Sequence, residues 1–366
     1  MSAKLDQALQ AYEKESMKIV FVNGVFSSEK SELGPLQNQF YSFSKDDEVD
    51  KLTFYKSLHG DVLTTYKEQV RGQEGSFLFL EAQQNVDKPV HFIYFFNEEN
   101  KKESCGLVNL VVSDSQGSVD ILESFIGEDR INRHQVKTYL VQKEKSQVHF
   151  NQMLTGRLNL TNEVFVDLAE KSLNKVNVFS RSYGVIENHY VVDHNGPEGE
   201  ASVKGFYFTD EKNQCLNKVS MNHHFEKGKS EQLFKSILLD SSKGSFEGRI
   251  FIDKKAQQVD SKQLNHNLVL GERAEAESLP ILEIYADDVK ANHGSTMGFL
   301  DKESLFYLMS RGISKAKAVE LVSMGYALET VEEVQSEGIK GFLTSSLKAT
   351  MSQVNHEVLQ ERGFDV

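Results

Sequence analysis

The chain has 366 residues, of which 39% are hydrophobic and 26% are charged, so it is long enough for one large elongated domain or two to three compact ones. Its formal net charge of −13 argues against unassisted nucleic-acid binding, because no surplus of Lys and Arg is present to displace counterions from phosphates. No apolar run approaches the ~20 residues of a membrane helix, so we expect no membrane association.

The two cysteines, Cys105 and Cys215, lie 110 positions apart and form no CxxC motif, which excludes a disulfide framework and a structural zinc site made by the chain alone. The first residues, MSAKLDQALQAYEKES, are charged and lack the apolar core of a signal peptide. We therefore expect a cytoplasmic protein.

Residues 1–75 are predicted to form a mixed N-terminal region with helical segments. A short helix is expected over residues 3–15, and the sequence IVFVNGVFSS (19–28) predicts two strands joined by an Asn-Gly turn. Residues 29–75 are polar and helix-prone in places.

Residues 76–298 are predicted to form a core dominated by short strands. The runs FLFLEA, VHFIYFF and GLVNLVVSD are rich in strand-forming residues, and apolar residues then recur at every second position. No long helical pattern interrupts them, which disfavours a doubly wound α/β fold. The alternating sets predicted to share a buried face are Leu158 and Leu160, Val164 to Leu168, Leu264 to Leu270, and Leu282 to Ala286.

An apparent repeat relates KGFYFTD (204–210) to EGRIFID (247–253) at an offset of 43 residues, and the same offset places Asn222 on Asn265. Such a period is typical of a propeller blade, or of two β-helix coils of about 21 residues each. We favour the β-helix because no blade signature recurs. In that fold Asn222 and Asn265 could form a ladder between coils.

Residues 299–366 are predicted to form a helical C-terminal domain. Asp301 can cap a helix that ends near Gly312, and Ser314 can cap a second helix that ends at Gly325. The apolar stripe of this pair must be buried against the coils or a partner, and the pair could also cover the last coil as a cap.

The segment LEIYADDVKANHGSTMG (282–298) is the main candidate for chemistry. Asp287 and Asp288 could hold a divalent cation, but adjacent acids at the end of a strand more often accept backbone amides of the next turn, which we favour. That turn is expected at Asn292-His293-Gly294. His293 has no second ligand at chelating spacing, so it could only share a site with another chain. His266, in register with leucines, is expected to be an interior histidine, and the adjacent His223 and His224 to face opposite sides of a strand.

No GxGxxG or GxSxG motif is present, so the chain shows no signature of an enzyme in its own right. A β-helix enzyme acting on a polysaccharide stays open, since its carboxylates follow no fixed pattern. A purely structural interaction protein also stays open.

From residue 230 onward the sequence resembles the SufB/SufD family of the SUF iron–sulfur cluster assembly system, and SufD more than SufB. The residues that carry the resemblance are SEQLFKSILLD (230–240), SFEGRIFID (245–253), NHNLVLGERAEAESLPILEIYADDVKANHGSTMG (265–298) and DKESLFYLMSRGI (301–313). It implies a right-handed parallel β-helix with a helical C-terminal domain that works as a scaffold subunit and not as an enzyme.

The resemblance also implies partners and residue roles. A SufB-like subunit would pair through the β-helices, a SufC-like ATPase would dock on the C-terminal helices, and a homodimer is possible without SufB. The chain alone would bind no cofactor, while a transient iron–sulfur cluster would form in the complex, with His293 as a ligand at the shared interface. Ala291 stands where many members have a cysteine, so thiolates would come from the partner. Within 301–325 the candidates for the SufC contact are Leu305, Tyr307, Arg311, Lys315 and Lys317.

Overall fold

The computed structural model describes residues 16–44, 66, 68–97, 104–332 and 334–361. It is mainly β, a parallel β-solenoid of about 7 turns followed by helices. The helix predicted over residues 3–15 lies outside the described residues. The strands are β1 (Met17–Val22), β2 (Val25–Phe26), β3 (Phe40–Phe43), β4 (Glu74–Leu80), β5 (Val90–Phe96), β6 (Gly106–Ser113), β7 (Ser118–Gln142), β8 (Gln147–Leu168), β9 (Leu173–Ser182), β10 (Val185–His194), β11 (Glu200–Thr209), β12 (Gln214–His223), β13 (Lys229–Leu238), β14 (Lys243–Ile252), β15 (Asp260–Val269), β16 (Glu275–Ile284) and β17 (Lys290–Gly298), and the helices are α1 (Lys302–Ser310), α2 (Lys315–Leu328) and α3 (Glu337–Glu361).

The N-terminal hairpin is confirmed. β1 and β2 pair antiparallel, and the two turn residues Asn23 and Gly24 have φ values of 49° and 84°. A two-residue hairpin turn with positive φ at both positions matches the twist of the flanking strands, which is why Asn-Gly is favoured there. The strands predicted from FLFLEA, VHFIYFF and GLVNLVVSD are also present, as β4, β5 and β6.

The coils contain two parallel stacks of strands. Stack A consists of β1, β5, the N-terminal halves of β7 and β8, then β9, β11, β13, β15 and β17. Stack B consists of β4, β6, the C-terminal halves of β7 and β8, then β10, β12, β14 and β16. Each strand pairs with its equivalent in the next coil, so side chains at paired positions point the same way.

The coil length differs from the predicted value of about 21 residues. Asn162 pairs with Asn188, 26 residues later, and Lys243 pairs with Glu275, 32 residues later. The 43-residue match therefore relates β11 of stack A to β14 of stack B, about one and a half coils apart, and it is not a structural repeat.

One corner of the solenoid is built from residues with positive φ. Gln116, Lys145, Lys171, Glu198 and Lys227 have φ between 55° and 62°. The backbone N–H of each donates to a carbonyl of the next coil, for example from Lys145 to Glu170 and from Lys227 to Gln257. These bonds satisfy backbone groups that a turn would otherwise leave open, and they stack the corners in line. The recurring triplets EKS (144–146), EKS (170–172) and EKG (226–228) mark the corner in the sequence.

The helices cover the outer face of stack A. Outward side chains of β8, β9, β11 and β13, among them Met153, Phe179, Phe206 and Ile237, are buried against α1, α2 and α3. The helices therefore lie along the side of the solenoid, and the last strands β16 and β17 keep mostly exposed side chains. The suggested cap over the last coil is not what these helices form. None of the described helices is long and apolar enough to span a membrane.

The alternation in β15 was assigned to the wrong face. Ser261, Gln263, Asn265 and Asn267 point into the solenoid and are buried, whereas Leu264, His266 and Leu268 point outward. Because the helices bury the outer face of the solenoid here, alternation along β15 does not show which of its two faces is the interior one. The predicted interior position of His266 is thus wrong.

An asparagine ladder is present inside the solenoid, but not at the predicted pair. Asn162 donates to Asn188 at 3.1 Å, and Asn188 donates to Asn217 at 2.9 Å, across three successive coils. The predicted pair lies in different stacks, where Asn222 donates to Asp193 and Asn265 to a backbone carbonyl. Buried amides are stabilised only when such partners are in reach.

A buried carboxyl group lies in the same interior network. Glu123 is 1% exposed; its Oε1 accepts from Tyr94 Oη at 3.0 Å and from Thr138 Oγ1 at 2.9 Å, and its Oε2 accepts from Gln152 Nε2 at 2.7 Å. Desolvation raises the pKa of Glu123 from its ordinary value of 4.5 to about 7, with the three hydrogen bonds acting in the opposite direction.

Two histidines stack on each other in the interior of stack B. His194 and His223 are paired between β10 and β12, and their ring centroids are 4.2 Å apart. His223 points inward and His224 outward, as predicted for adjacent residues of a strand. Burial lowers the pKa of His194 to about 4 and that of His223 to about 2, so both rings are neutral at neutral pH.

Candidate functional site

The solenoid ends in an open edge formed by β16 and β17. Each of these strands pairs with one strand of the preceding coil, β14 or β15. Among the residues that the structure describes, no strand pairs with their outer edges. Two neighbouring strands with free backbone groups form a surface on which a further strand can add.

His293 lies within β17, at the fourth position of the strand, and its side chain is exposed. Its partner in β15 is Gln263, whose side chain points into the solenoid, so His293 is on the inward face of the last coil. The predicted turn at 292–294 is not formed, and Gly294 is a strand residue that pairs with Leu264. The imidazole therefore sits on a regular strand at the mouth of the solenoid.

The layer beneath His293 is polar. Gln263 and Gln232, in the two preceding coils, are 2% and 0% exposed, and within the described chain the Oε1 of each lacks a hydrogen-bond partner. Gly248 leaves space for this pair, since a Cβ there would lie 2.5 Å from the Gln263 amide and 2.7 Å from Gln232 Oε1. The end of the solenoid is thus lined by acceptors and not closed by apolar side chains.

An apolar rim surrounds this polar layer. Leu282 and Ile284 follow the inward face of β16, yet they are 37% and 38% exposed because no coil follows them. Apolar residues at every second position of a strand usually belong to a core. Where they remain exposed, as here, they mark a surface that can bury more apolar area. The exposed apolar residues at this end are Leu279, Leu282, Ile284, Tyr285, Met297 and Phe299.

The connection between β16 and β17 contains Asp287 and Asp288. Its hydrogen bonds to the preceding corner use the backbone of Asp288, whose N–H donates to Gln257 Oε1 at 2.9 Å and whose carbonyl accepts from the N–H of Gln258. The two acids are thus located at a turn. The role of their carboxylates stays a prediction.

β16 is fixed to the preceding coil by a charged pair on its outer face. Arg249 donates to both carboxylate oxygens of Glu283, at 2.8 and 2.7 Å, and to Asn222 Oδ1 at 3.0 Å. The hydrogen bonds to Arg249 lower the pKa of Glu283. A bidentate pair of this kind orients β16 without covering its free edge.

In the part of the chain that is described, no group of three or more His, Cys, Asp or Glu side chains is arranged to hold a metal ion. His293 offers one nitrogen ligand, and Ala291, two residues earlier on the same face, offers none. Cys215 is buried, which raises the pKa of its thiol to about 12, and a protonated buried thiol is a poor ligand.

The second candidate surface is on α1 and α2, whose predicted N-caps Asp301 and Ser314 both accept backbone N–H groups. Of the residues predicted there, Leu305 is buried in the core between helices and solenoid, so it cannot be part of an exposed contact. Tyr307 is exposed, with Arg311 5.0 Å from its ring, and Lys317 is exposed beside Glu320. Lys315 is half-buried.

Two exposed apolar residues of this surface were not among the predicted contact residues. Phe306 is 62% exposed, next to Tyr307, and Leu321 is 42% exposed on α2. The sequence gives a weak signal for Phe306, because consecutive aromatic residues at 306–307 cannot both face the same core on a helix.

Residues 95–326 match the family model described as SUF system FeS cluster assembly, SufBD core domain. The chain is 33% identical over 166 residues to the iron-sulfur cluster assembly protein SufD of Escherichia coli (strain K12), which covers 44% of this chain and 39% of that protein. It is 28% identical over 287 residues to the protein ABCI7, chloroplastic, of Arabidopsis thaliana, covering 73% and 58%. With the iron-sulfur cluster assembly protein SufD of Bacillus subtilis (strain 168) it shares 35% over 136 residues, covering 37% and 31%. The chain thus spans less than two thirds of the length of each of these relatives.

Proposed function

Since this chain belongs to the SufB/SufD family of the SUF iron–sulfur cluster assembly system and is SufD-like, we propose that it is a scaffold subunit on which a cluster is assembled together with partner chains. It pairs with a SufB-like subunit through the open edge and docks a SufC-like ATPase on α1 and α2. The chain itself carries out no catalysis.

The observation that carries this proposal is the open edge with its apolar rim. A monomeric β-protein usually protects its edge strands with charges, prolines or a covering segment. Here Leu282 and Ile284 stay exposed on the edge strand β16, and β17 is a second strand that pairs on one side only among the described residues. A SufB-like β-helix that adds its own edge to β16 and β17 would satisfy the free backbone groups and bury the rim.

His293 supplies one ligand to a cluster that forms between the two subunits. A neutral imidazole can bind iron, and the residue lies on the strand that faces the partner. Because Ala291 provides no thiolate, the remaining ligands come from the partner chain. The iron and sulfide are cargo of the complex, and the polar layer of Gln263 and Gln232 keeps the mouth hydrophilic beneath them.

The ATPase contact is assigned to the exposed surface of the helix pair. Phe306, Tyr307 and Leu321 supply apolar area, while Arg311 and Lys317 supply charge around it. Aromatic and arginine side chains of this kind are typical centres of protein interfaces.

The test is co-expression of this chain with its SufB-like and SufC-like partners, anaerobic purification, and iron and sulfide analysis. His293→Ala should leave the complex intact and lower its iron content, and the matched control Asn292→Ala, at the adjacent exposed position, should keep both. A His293→Ala complex with undiminished iron would remove the ligand role.

The edge and the helices are tested by binding in the same system. Ile284→Lys should abolish pairing with the SufB-like chain, whereas Ile131→Lys, at an 82% exposed position on a bulge of β7, should not. Lys317→Glu should weaken retention of the ATPase. If no complex forms with any variant or with the wild type, the scaffold proposal fails and a β-helix enzyme becomes the better hypothesis.

A further inference from the structure

The C-terminal end of α2 is fixed to the solenoid by a buried lysine. Lys235 points outward from β13 and is 5% exposed. Its Nζ donates to the backbone carbonyl of Tyr326 at 3.3 Å, forms a short charged hydrogen bond with Glu329, and lies 4.5 Å from the Tyr326 ring centroid. A buried ammonium group needs such partners, because without them its desolvation is uncompensated.

One coil further on, the same helix end contacts His266. Tyr326 Oη donates to the backbone carbonyl of His266 at 2.5 Å. The His266 ring in turn shares a hydrogen bond with Thr296 of β17, with Nδ1 and Oγ1 2.8 Å apart. Lys235, His266 and Thr296 are paired positions of β13, β15 and β17, so they form one outward column that begins under α2 and ends on the last strand.

Within the described chain, the outward face of β17 offers few side chains that could attach it. Its outward positions are Lys290, Asn292, Gly294, Thr296 and Gly298, and two of the five are glycines without side chains. In its C-terminal half, Thr296 is therefore the residue through which a side chain can hold the strand from outside. An edge strand with one strand partner depends strongly on such a bond.

The helix joins this column to the surface assigned to the ATPase. α2 has 14 residues and is therefore about 20 Å long, from Lys315 and Lys317 at its start to Tyr326 near its end. α2 is one continuous helix from Lys315 to Leu328, and such an element can carry coupling between its two ends.

We propose that α2 and His266 form a latch that holds β17, the strand carrying His293, in position on the solenoid. The latch would link the ATPase surface to the cluster-forming edge, and this role rests on the proposed function. The latch itself is a property of this chain alone. His266 and Tyr326 are positioning residues that touch neither iron nor sulfide.

The experiment is hydrogen–deuterium exchange of the full chain without partners. Tyr326→Phe removes the one hydrogen bond between the helix and His266 while keeping the ring over Lys235. Exchange in peptides covering 290–298 should rise about fivefold, the factor that one hydrogen bond is worth. Tyr307→Phe, the same change at an exposed position on α1, should leave these peptides unchanged.

If α2 stabilises β17 through the latch, then β17 must stabilise α2 to the same extent. Thr296→Val removes the bond at the strand, and it should raise exchange in the last turn of α2, around residues 324–328, as well as in β17. Unchanged exchange of β17 in Tyr326→Phe, or of α2 in Thr296→Val, would overturn the latch. Because no partner is present, that outcome would leave the scaffold proposal standing, and a failed co-expression would leave the latch standing.

Discussion

Replacing Glu123 by Gln should change how the stability of this protein depends on pH. Glu123 is buried and is held by the hydroxyls of Tyr94 and Thr138 and by the amide of Gln152. Gln at this position can still accept from Gln152 and can donate to Thr138. The cost of the substitution itself is therefore on the order of one hydrogen bond, about 1 kcal/mol, at any pH.

The pH-dependent part follows from the raised pKa of Glu123, about 7 when folded against an ordinary value of 4.5. Between these two values the folded state binds more protons than the unfolded state, so the free energy of unfolding falls as pH rises. The loss is complete above pH 7 and corresponds to roughly 3 kcal/mol. Glu123→Gln lacks this term, so its stability relative to the wild type should rise by roughly 2.5 kcal/mol between pH 5 and pH 8.5, and it should be the more stable of the two at pH 8.5.

Urea unfolding at both pH values, followed by far-UV circular dichroism, measures the difference between the variant and the wild type. Taking this difference cancels other groups that titrate in the same range. Glu163→Gln, at an outward position beside Lys137, is the control and should show a difference that changes with pH by less than about 1 kcal/mol. A Glu123→Gln difference that is the same at pH 5 and pH 8.5 would refute the reasoning.

His194 and His223 should give the free energy of unfolding a pH dependence opposite to that of Glu123. Their pKa values are about 4 and about 2 in the folded protein and 6.5 when unfolded. Stability is therefore full above pH 6.5 and falls as pH is lowered. Replacing His194 and His223 together by Phe should remove a slope of up to about 1.4 kcal/mol per pH unit and per histidine, measured by urea unfolding between pH 6.5 and 4.5. Gly205→Ala should destabilise by roughly 1–3 kcal/mol in the same assay at pH 7.5, because the new Cβ would lie 2.4 Å from the Phe234 ring. Arg249→Met should cost under about 1 kcal/mol overall, since its ion pair is partly exposed, but should raise the hydrogen exchange of β16 several-fold.

Each of these three predictions has a matched control in the chain. His189→Phe, on the outer face of β10, should leave the acid slope in place. Gly325→Ala, in α2 where nothing lies within 4 Å of the added Cβ, should stabilise and not destabilise. Lys218→Met, whose pair with Glu247 lies one coil away from β16, should not loosen β16. A control that behaves like its test variant would contradict the corresponding explanation.

Local chemistry made several elements predictable from the sequence. The Asn23-Gly24 turn and the caps at Asp301 and Ser314 depend on residues within four positions of each other, so the sequence contains everything that determines them. The end of α2 was placed at Gly325, whereas the helix continues to Leu328. Its last turn is held by Lys235, which lies about 90 positions earlier, and such a contact leaves no local signal.

The coil length was not predictable from strand similarity, because strands of both stacks have the same alternation. β11 and β14 resemble each other although they lie on opposite sides of the solenoid. The corners were more informative, since a positive φ restricts the residue and its neighbours. The triplets at 144–146, 170–172 and 226–228 would have given the period, but corners such as 197–199 use other residues and break the pattern.

The alternation of apolar and polar residues does not determine which face of a strand is interior or where the solenoid ends. Contacts with other elements determine both. In β15 the inward residues are polar and the outward leucines are covered by helices, so the apolar face is the outer one. In β16 the apolar face is the inner one, yet Leu282 and Ile284 remain exposed. The sequence of β16 is thus suited to a core that this chain does not complete. The pairing proposed above, with a partner whose strands continue the stack beyond β16 and β17, would bury this inward apolar face.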